Sequence, residues 1–93
     1  FYFIEAMQQA AAELGLTPEQ GTQLAIATFT GAAQLAANSS EPVSLLRERV
    51  TSKGGTTYAA LTSMEESGVK AAIVKGIKAA AQRGREMGDE LSK

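Results

Sequence analysis

The residues best placed to do chemistry are bunched in one stretch, Val50-Thr51-Ser52-Lys53-Gly54-Gly55-Thr56-Thr57. It is the one place where backbone permissiveness and hydroxyl groups are concentrated together. Adjacent glycines let the backbone turn through conformations closed to other residues, and let a ligand approach it closely. Thr56 and Thr57 are good N-cap residues, because a side-chain oxygen can accept from a free N–H of the first helical turn. The chain then runs Tyr58-Ala59-Ala60-Leu61-Thr62-Ser63-Met64-Glu65, which is mostly helix-compatible. The stretch therefore reads as a glycine loop feeding a helix N-terminus. Such an arrangement offers unpaired N–H groups and the positive end of a helix dipole to an anion.

A nucleotide phosphate loop is a poor fit, since that motif follows a strand and runs G-x-x-x-x-G-K-[ST]. Here the lysine precedes the glycines and no strand leads in. A carboxylate suits a short loop with a few donors better. The plainer alternative is a helix-to-helix turn with capping threonines and no ligand, since Gly-Gly turns are common. The residues by themselves leave both open.

The remaining composition narrows the field. The chain has 93 residues, enough for one domain with a modest core. Hydrophobic content is 44%, much of it alanine, and only Phe1, Tyr2, Phe3, Phe29 and Tyr58 are aromatic. Thin side chains permit close helix packing but bury little area each, so a partner subunit would add stability. A net charge of −1 argues against a nucleic-acid surface built on charge. There is no cysteine and hence no disulfide or thiolate chemistry. There is no histidine, which removes the commonest metal ligand and general base, and no metal site is expected. No apolar run is long enough to span a bilayer; the richest, residues 25–37, is interrupted by Thr28, Thr30 and Gln34. The opening Phe1-Tyr2-Phe3-Ile4, without an initiator methionine, suggests a fragment of a longer protein.

Five helices and no strand are expected around this loop, an all-α fold. In residues 1–14, Ile4, Met7, Ala11 and Leu14 share one helical face, and Gly15 is placed to end the helix. Thr17-Pro18-Glu19-Gln20 is a helix start, with Thr17 as cap, Pro18 in the first turn and Gln20 completing a capping box. That second helix reaches about Ala37, with Leu24, Ala27, Gly31 and Leu35 on one face. A packing reason is expected for Gly31, since glycine costs about 1 kcal/mol in a helix interior. Pro42 opens a short third helix, with Leu46 and Val50 facing inward and Arg47, Glu48 and Arg49 solvated. The fourth helix carries Ala60, Leu61 and Met64 inward and ends near Ser67-Gly68. The fifth, from Val69 to about Leu91, is the longest. Its residues Ile73, Ile77, Ala80, Gly84, Met87 and Leu91 form a heptad-like seam. One chain this short cannot wrap such a helix on all sides. A second copy is therefore expected to complete the seam in an isologous, interlocked homodimer.

The central stretch resembles the signature of the pyrroline-5-carboxylate reductase family. Val50 is its hydrophobic lead, Thr51 and Ser52 its small hydroxyl pair, Gly54-Gly55 its glycines and Thr57 its threonine. Ala60, Leu61, Met64 and Glu65 fill its small, aliphatic, large apolar and polar positions. Lys53 departs from many members, which carry proline there, and this makes the loop less rigid. Beyond the signature, the Phe3-Ile4-Glu5-Ala6-Met7 opening, the Gly15-Leu16-Thr17-Pro18 turn, the lead-in through Leu45 to Val50 and the Ala79-Ala80-Ala81-Gln82-Arg83 run also look like the family's carboxy-terminal domain.

The resemblance implies a carboxy-terminal dimerisation and substrate-binding domain over residues 1–93. Family members reduce 1-pyrroline-5-carboxylate to proline with NADPH or NADH, and a cytoplasmic location is expected for this protein. An amino-terminal Rossmann domain, absent from this chain, holds the nucleotide. Carried onto these positions, the substrate-binding residues would be Ser52, Gly54, Gly55, Thr56 and Thr57, with Ser52 and the N–H groups of Gly55, Thr56 and Thr57 holding the substrate carboxylate. The Thr57 hydroxyl would hydrogen-bond the ring nitrogen as the catalytic group. The 93 residues alone would be inactive. Assembly beyond the dimer stays open, with neither nucleic acid nor membrane implied. Two other possibilities stand beside this one: an all-helical homodimerisation module without a substrate role, and the helical domain of a different dehydrogenase.

Overall fold

The computed structural model describes residues 1–92. It contains α1 (Tyr2–Glu13), α2 (Pro18–Ala37), α3 (Val43–Arg49), α4 (Thr56–Glu66) and α5 (Val69–Leu91), with no strand among the described residues. The all-α expectation is met. The chain divides into two compact units, residues 1–47 and residues 48–93, with the boundary inside α3.

In the first unit α1 packs on α2. The turn between them is locked at both ends. Leu14 caps α1, and Gly15 follows with a φ of 97°, a conformation that side chains resist. The Leu16 N–H donates to the Ala11 carbonyl at 3.0 Å and the Gly15 N–H to Ala12 at 3.1 Å. This is the paired Schellman closure, which satisfies two helix-end carbonyls. Thr17 then starts α2. Its hydroxyl accepts from the Gln20 N–H at 3.2 Å, and the Gln20 side chain accepts from the Thr17 N–H at 3.0 Å. The capping box is present as the sequence predicts.

The contact between α1 and α2 is made with small residues. Ala11, Gly21 and Ala25 are buried, and Ile4 and Met7 are half-buried. A methyl group added at Gly21 would lie 3.1 Å from the Ala11 side chain. Gly21 is therefore the residue that lets the two helices approach, and Gln8 fastens them by donating to the Thr22 hydroxyl at 3.0 Å. Gly31, for which a packing reason is expected, has open space where a side chain would sit. The predicted inward face of α2 is also displaced: Leu24 and Leu35 are exposed, while Gly21 and Ala25 are covered. Periodicity finds an apolar face, but the site of the α1 approach selects which one is buried. Leu14 is 81% exposed because it lies past the last turn of α1.

In the second unit α4 packs on α5. Ser67 caps α4, and Gly68, with φ at 69°, turns the chain into α5. Leu61, Val69 and Ile73 are half-buried, and no residue of α4 or α5 is fully buried. Ala60 and Met64, expected inward, are exposed. The α5 seam lies open: Ile77 is 65% exposed, Met87 50%, and Ala80, Gly84 and Leu91 are exposed as well. Ion pairs on its polar side join Arg83 to Glu86 and Glu90 at 3.3 and 3.1 Å. At that exposure each contributes at most about 1 kcal/mol.

In α3, the Pro42 carbonyl accepts from the Leu45 and Leu46 N–H groups, so Pro42 sits just ahead of the helix. Leu46 is half-buried as predicted. Val50 is not: it is 61% exposed, because the helix ends at Arg49 and the four-residue spacing no longer applies.

Candidate functional site

Thr51 leads out of α3 into a tight turn over Ser52, Lys53, Gly54 and Gly55. The Gly55 N–H donates to the Ser52 carbonyl at 2.9 Å, closing it. Gly54 has φ at 80°, the value required at the third position of a type II turn. Proline is favoured at the second position of that turn. Lys53 stands there with a negative φ, so the turn forms without the ring.

Gly55 then becomes the N-cap of α4, in an extended conformation (φ −86°, ψ 179°), with no side chain to cap the first turn. Thr56 and Thr57 are the first and second helical residues, not the caps that propensity predicts. The turn fixes where the helix begins, and hydroxyl preference is overridden. The first internal bond of α4 runs from the Ala59 N–H to the Gly55 carbonyl at 3.1 Å. The N–H groups of Thr56, Thr57 and Tyr58 make no hydrogen bond to any described residue.

This corrects one expectation. The Gly55 N–H is committed to Ser52 and is no free donor. The donors at this helix start are the Thr56, Thr57 and Tyr58 amides, the last of which was not among the expected donors. The remaining sequence-predicted residues come together. The Ser52 hydroxyl lies against Gly55, 2.6 Å from where a side-chain carbon on that residue would sit. Gly55 and Thr57 are half-buried, while Ser52, Gly54 and Thr56 face outward. The site is thus one open wall: hydroxyls and amides on the second unit, with no opposing side supplied by that unit.

The wall can neutralise a carboxylate without any cationic side chain. A charge at a helix N-terminus gains roughly 0.3–1 kcal/mol, and up to about 2 when partly buried. Each direct hydrogen bond to the charged group adds about 1.5–3 kcal/mol. Among the described residues no cluster of three or more His, Cys, Asp or Glu could hold a metal ion. No helix of the described residues is long and apolar enough to cross a membrane. The surface depression lined by Ala6, Gln9, Ala10, Glu13 and Leu14 lies on α1 and shares no residue with the turn.

Fold and turn together define the class: an all-helical domain in which a Gly-Gly turn leaves the start of one helix uncapped. The family model for pyrroline-5-carboxylate reductase dimerisation matches residues 1–87, and the chain belongs to that family. A pyrroline-5-carboxylate reductase of Pseudomonas aeruginosa is 40% identical over 91 residues, which are 98% of this chain and 33% of that protein. The chain spans roughly a third of the length of the curated relatives it matches. Among solved structures, a Plasmodium falciparum pyrroline carboxylate reductase with NADP bound superposes with a TM-score of 0.89 at 30% identity, covering 94% of this chain and 35% of that one. A pyrroline-5-carboxylate reductase from Coxiella burnetii superposes with a TM-score of 0.86 at 40% identity, covering 92% and 32%.

Proposed function

We propose that this chain is the helical, carboxy-terminal part of a cytoplasmic pyrroline-5-carboxylate reductase, which reduces 1-pyrroline-5-carboxylate to proline. The single observation that carries the proposal is the start of α4. The Thr56, Thr57 and Tyr58 amides have no partner among the described residues, and the Ser52 hydroxyl lies against Gly55, the residue just before them. A cyclic imino acid has one negative group to anchor and one nitrogen to orient. The amides of Thr56 and Thr57 and the Ser52 hydroxyl take the carboxylate. The Thr57 hydroxyl, which makes no hydrogen bond to a described residue, takes the ring nitrogen. A threonine hydroxyl both donates and accepts, but it is a poor acid. Its contribution is therefore orientation of the imine, not proton supply.

The nucleotide, NADPH or NADH, supplies the hydride that reaches the imine carbon. Its phosphate-binding fingerprint, G-x-G-x-x-G, does not occur in this chain, so its residues do not fit the nucleotide's phosphates and a separate domain is assigned to hold it. A second copy is assigned to cover the open α5 seam in a homodimer. The exposed wall of the site is then completed from outside the second unit.

Thr57→Ala in the complete reductase tests the assignment. Loss of one directed hydrogen bond is expected to lower kcat/KM by about 10- to 100-fold, with the dimer intact by sedimentation. Unchanged kinetics would remove Thr57 from the site.

A further inference from the structure

Gly55 carries a different role from its neighbour. Gly54 needs to be glycine because its φ of 80° strains any side chain. Gly55 does not: its φ of −86° and ψ of 179° are extended backbone that every residue adopts. Nor is its N–H available to a ligand, being bonded to the Ser52 carbonyl at 2.9 Å. What glycine provides at this position is space. A side-chain carbon there would lie 2.6 Å from the Ser52 Oγ and 3.1 Å from the Ser52 carbonyl oxygen. The first distance is too short for any contact, and the second presses on backbone that the turn bond holds in place. A side chain at position 55 therefore moves the Ser52 hydroxyl or opens the turn.

We propose that Gly55 is a positioning residue whose empty side-chain volume holds the Ser52 hydroxyl against the start of α4, where it meets the substrate carboxylate. This rests on the functional reading above. The hydroxyl makes no hydrogen bond to a described residue, and it occupies the space that a side chain on Gly55 would take.

A double-mutant cycle in the complete reductase tests it, with KM and kcat read separately and folding followed by thermal melting. Ser52→Ala is expected to raise KM for the pyrroline carboxylate about tenfold. Gly55→Ala is expected to raise KM to a similar extent with a smaller change in kcat. The double variant should be no worse than the poorer single one, because both changes remove the same contact. If Gly55→Ala lowers the melting temperature, Ser52→Ala on top of it should restore part of the loss by removing the closest clash. An effective Ser52→Ala beside a silent Gly55→Ala overturns the proposal. So do single effects that multiply in the double variant, and so does a Gly55→Ala instability that Ser52→Ala leaves untouched. A silent Ser52→Ala instead takes Ser52 out of the carboxylate site, and the functional reading falls with it at that residue.

Discussion

The two units of this chain solve the same problem, starting a helix after a glycine turn, in opposite ways. In the first, Gly15 closes α1 and the Thr17–Gln20 box consumes donors at the start of α2. In the second, Gly54 turns the chain, Gly55 is an N-cap with no side chain to satisfy a donor, and the Thr56, Thr57 and Tyr58 amides stay unpaired among the described residues. The first unit buries Ala11, Gly21 and Ala25, whereas α4 and α5 bury no residue fully. The first unit has a small core of its own, although Leu24, Ile26, Phe29 and Leu35 of α2 stay exposed. The other keeps polar groups and an apolar seam in reserve for surfaces it does not itself supply. A missing cap alone does not mark a site, since α5 also starts from an uncapped glycine, Gly68. The α4 start is set apart by the serine hydroxyl held in its turn and by the family signature around it.

The largest effect should come from the open seam. Ile77→Asp would place an unpaired carboxylate between two copies, at a cost of about 3–5 kcal/mol. Sedimentation should then report half the mass; an intact dimer would remove Ile77 from the interface. A smaller effect separates the two glycine turns. Gly15→Ala and Gly54→Ala each force a side chain into a left-handed conformation, for about 1–2 kcal/mol of lost stability. Thermal melting should show both losses, but only Gly54→Ala should also raise KM. Equal KM effects would erase the distinction between the turns. Next, Thr17→Ala removes a cap and should cost about 1 kcal/mol of stability, with kcat and KM unchanged in the complete reductase. The smallest change is a gain. Lys53→Pro fits the second position of the turn and should stabilise by about 0.4–1 kcal/mol. Destabilisation there would mean that the turn is not the type Gly54 indicates.

Much of this was legible in the residues. The capping box, the Gly15 and Gly68 stops and the span of α5 follow from local chemistry, and local chemistry survives folding. The helix faces were less legible. Gly31 and Gly21 look alike in sequence, and only the position of α1 decides that Gly21 is the close approach. At the candidate site, the Gly-Gly turn and the helix start were readable, but the cap position was not. Threonine is the better cap by propensity, yet the turn closed by the Gly55 N–H on the Ser52 carbonyl makes Gly55 the cap and starts the helix at Thr56, earlier than a threonine cap would. That single bond withdraws the Gly55 amide from the donor set. The α5 seam reads as apolar in sequence and lies open among the described residues, whereas the α2 face expected inward, with Leu24 and Leu35, is exposed.

The most direct test is a crystal structure of the complete reductase with L-proline bound. The carboxylate oxygens should lie at about 2.7–3.2 Å from the Thr56 and Thr57 amide nitrogens, with the Ser52 hydroxyl also in reach. A proline carboxylate held elsewhere, with those amides bonded to other groups, would contradict the assignment of this helix start as the substrate's anchor.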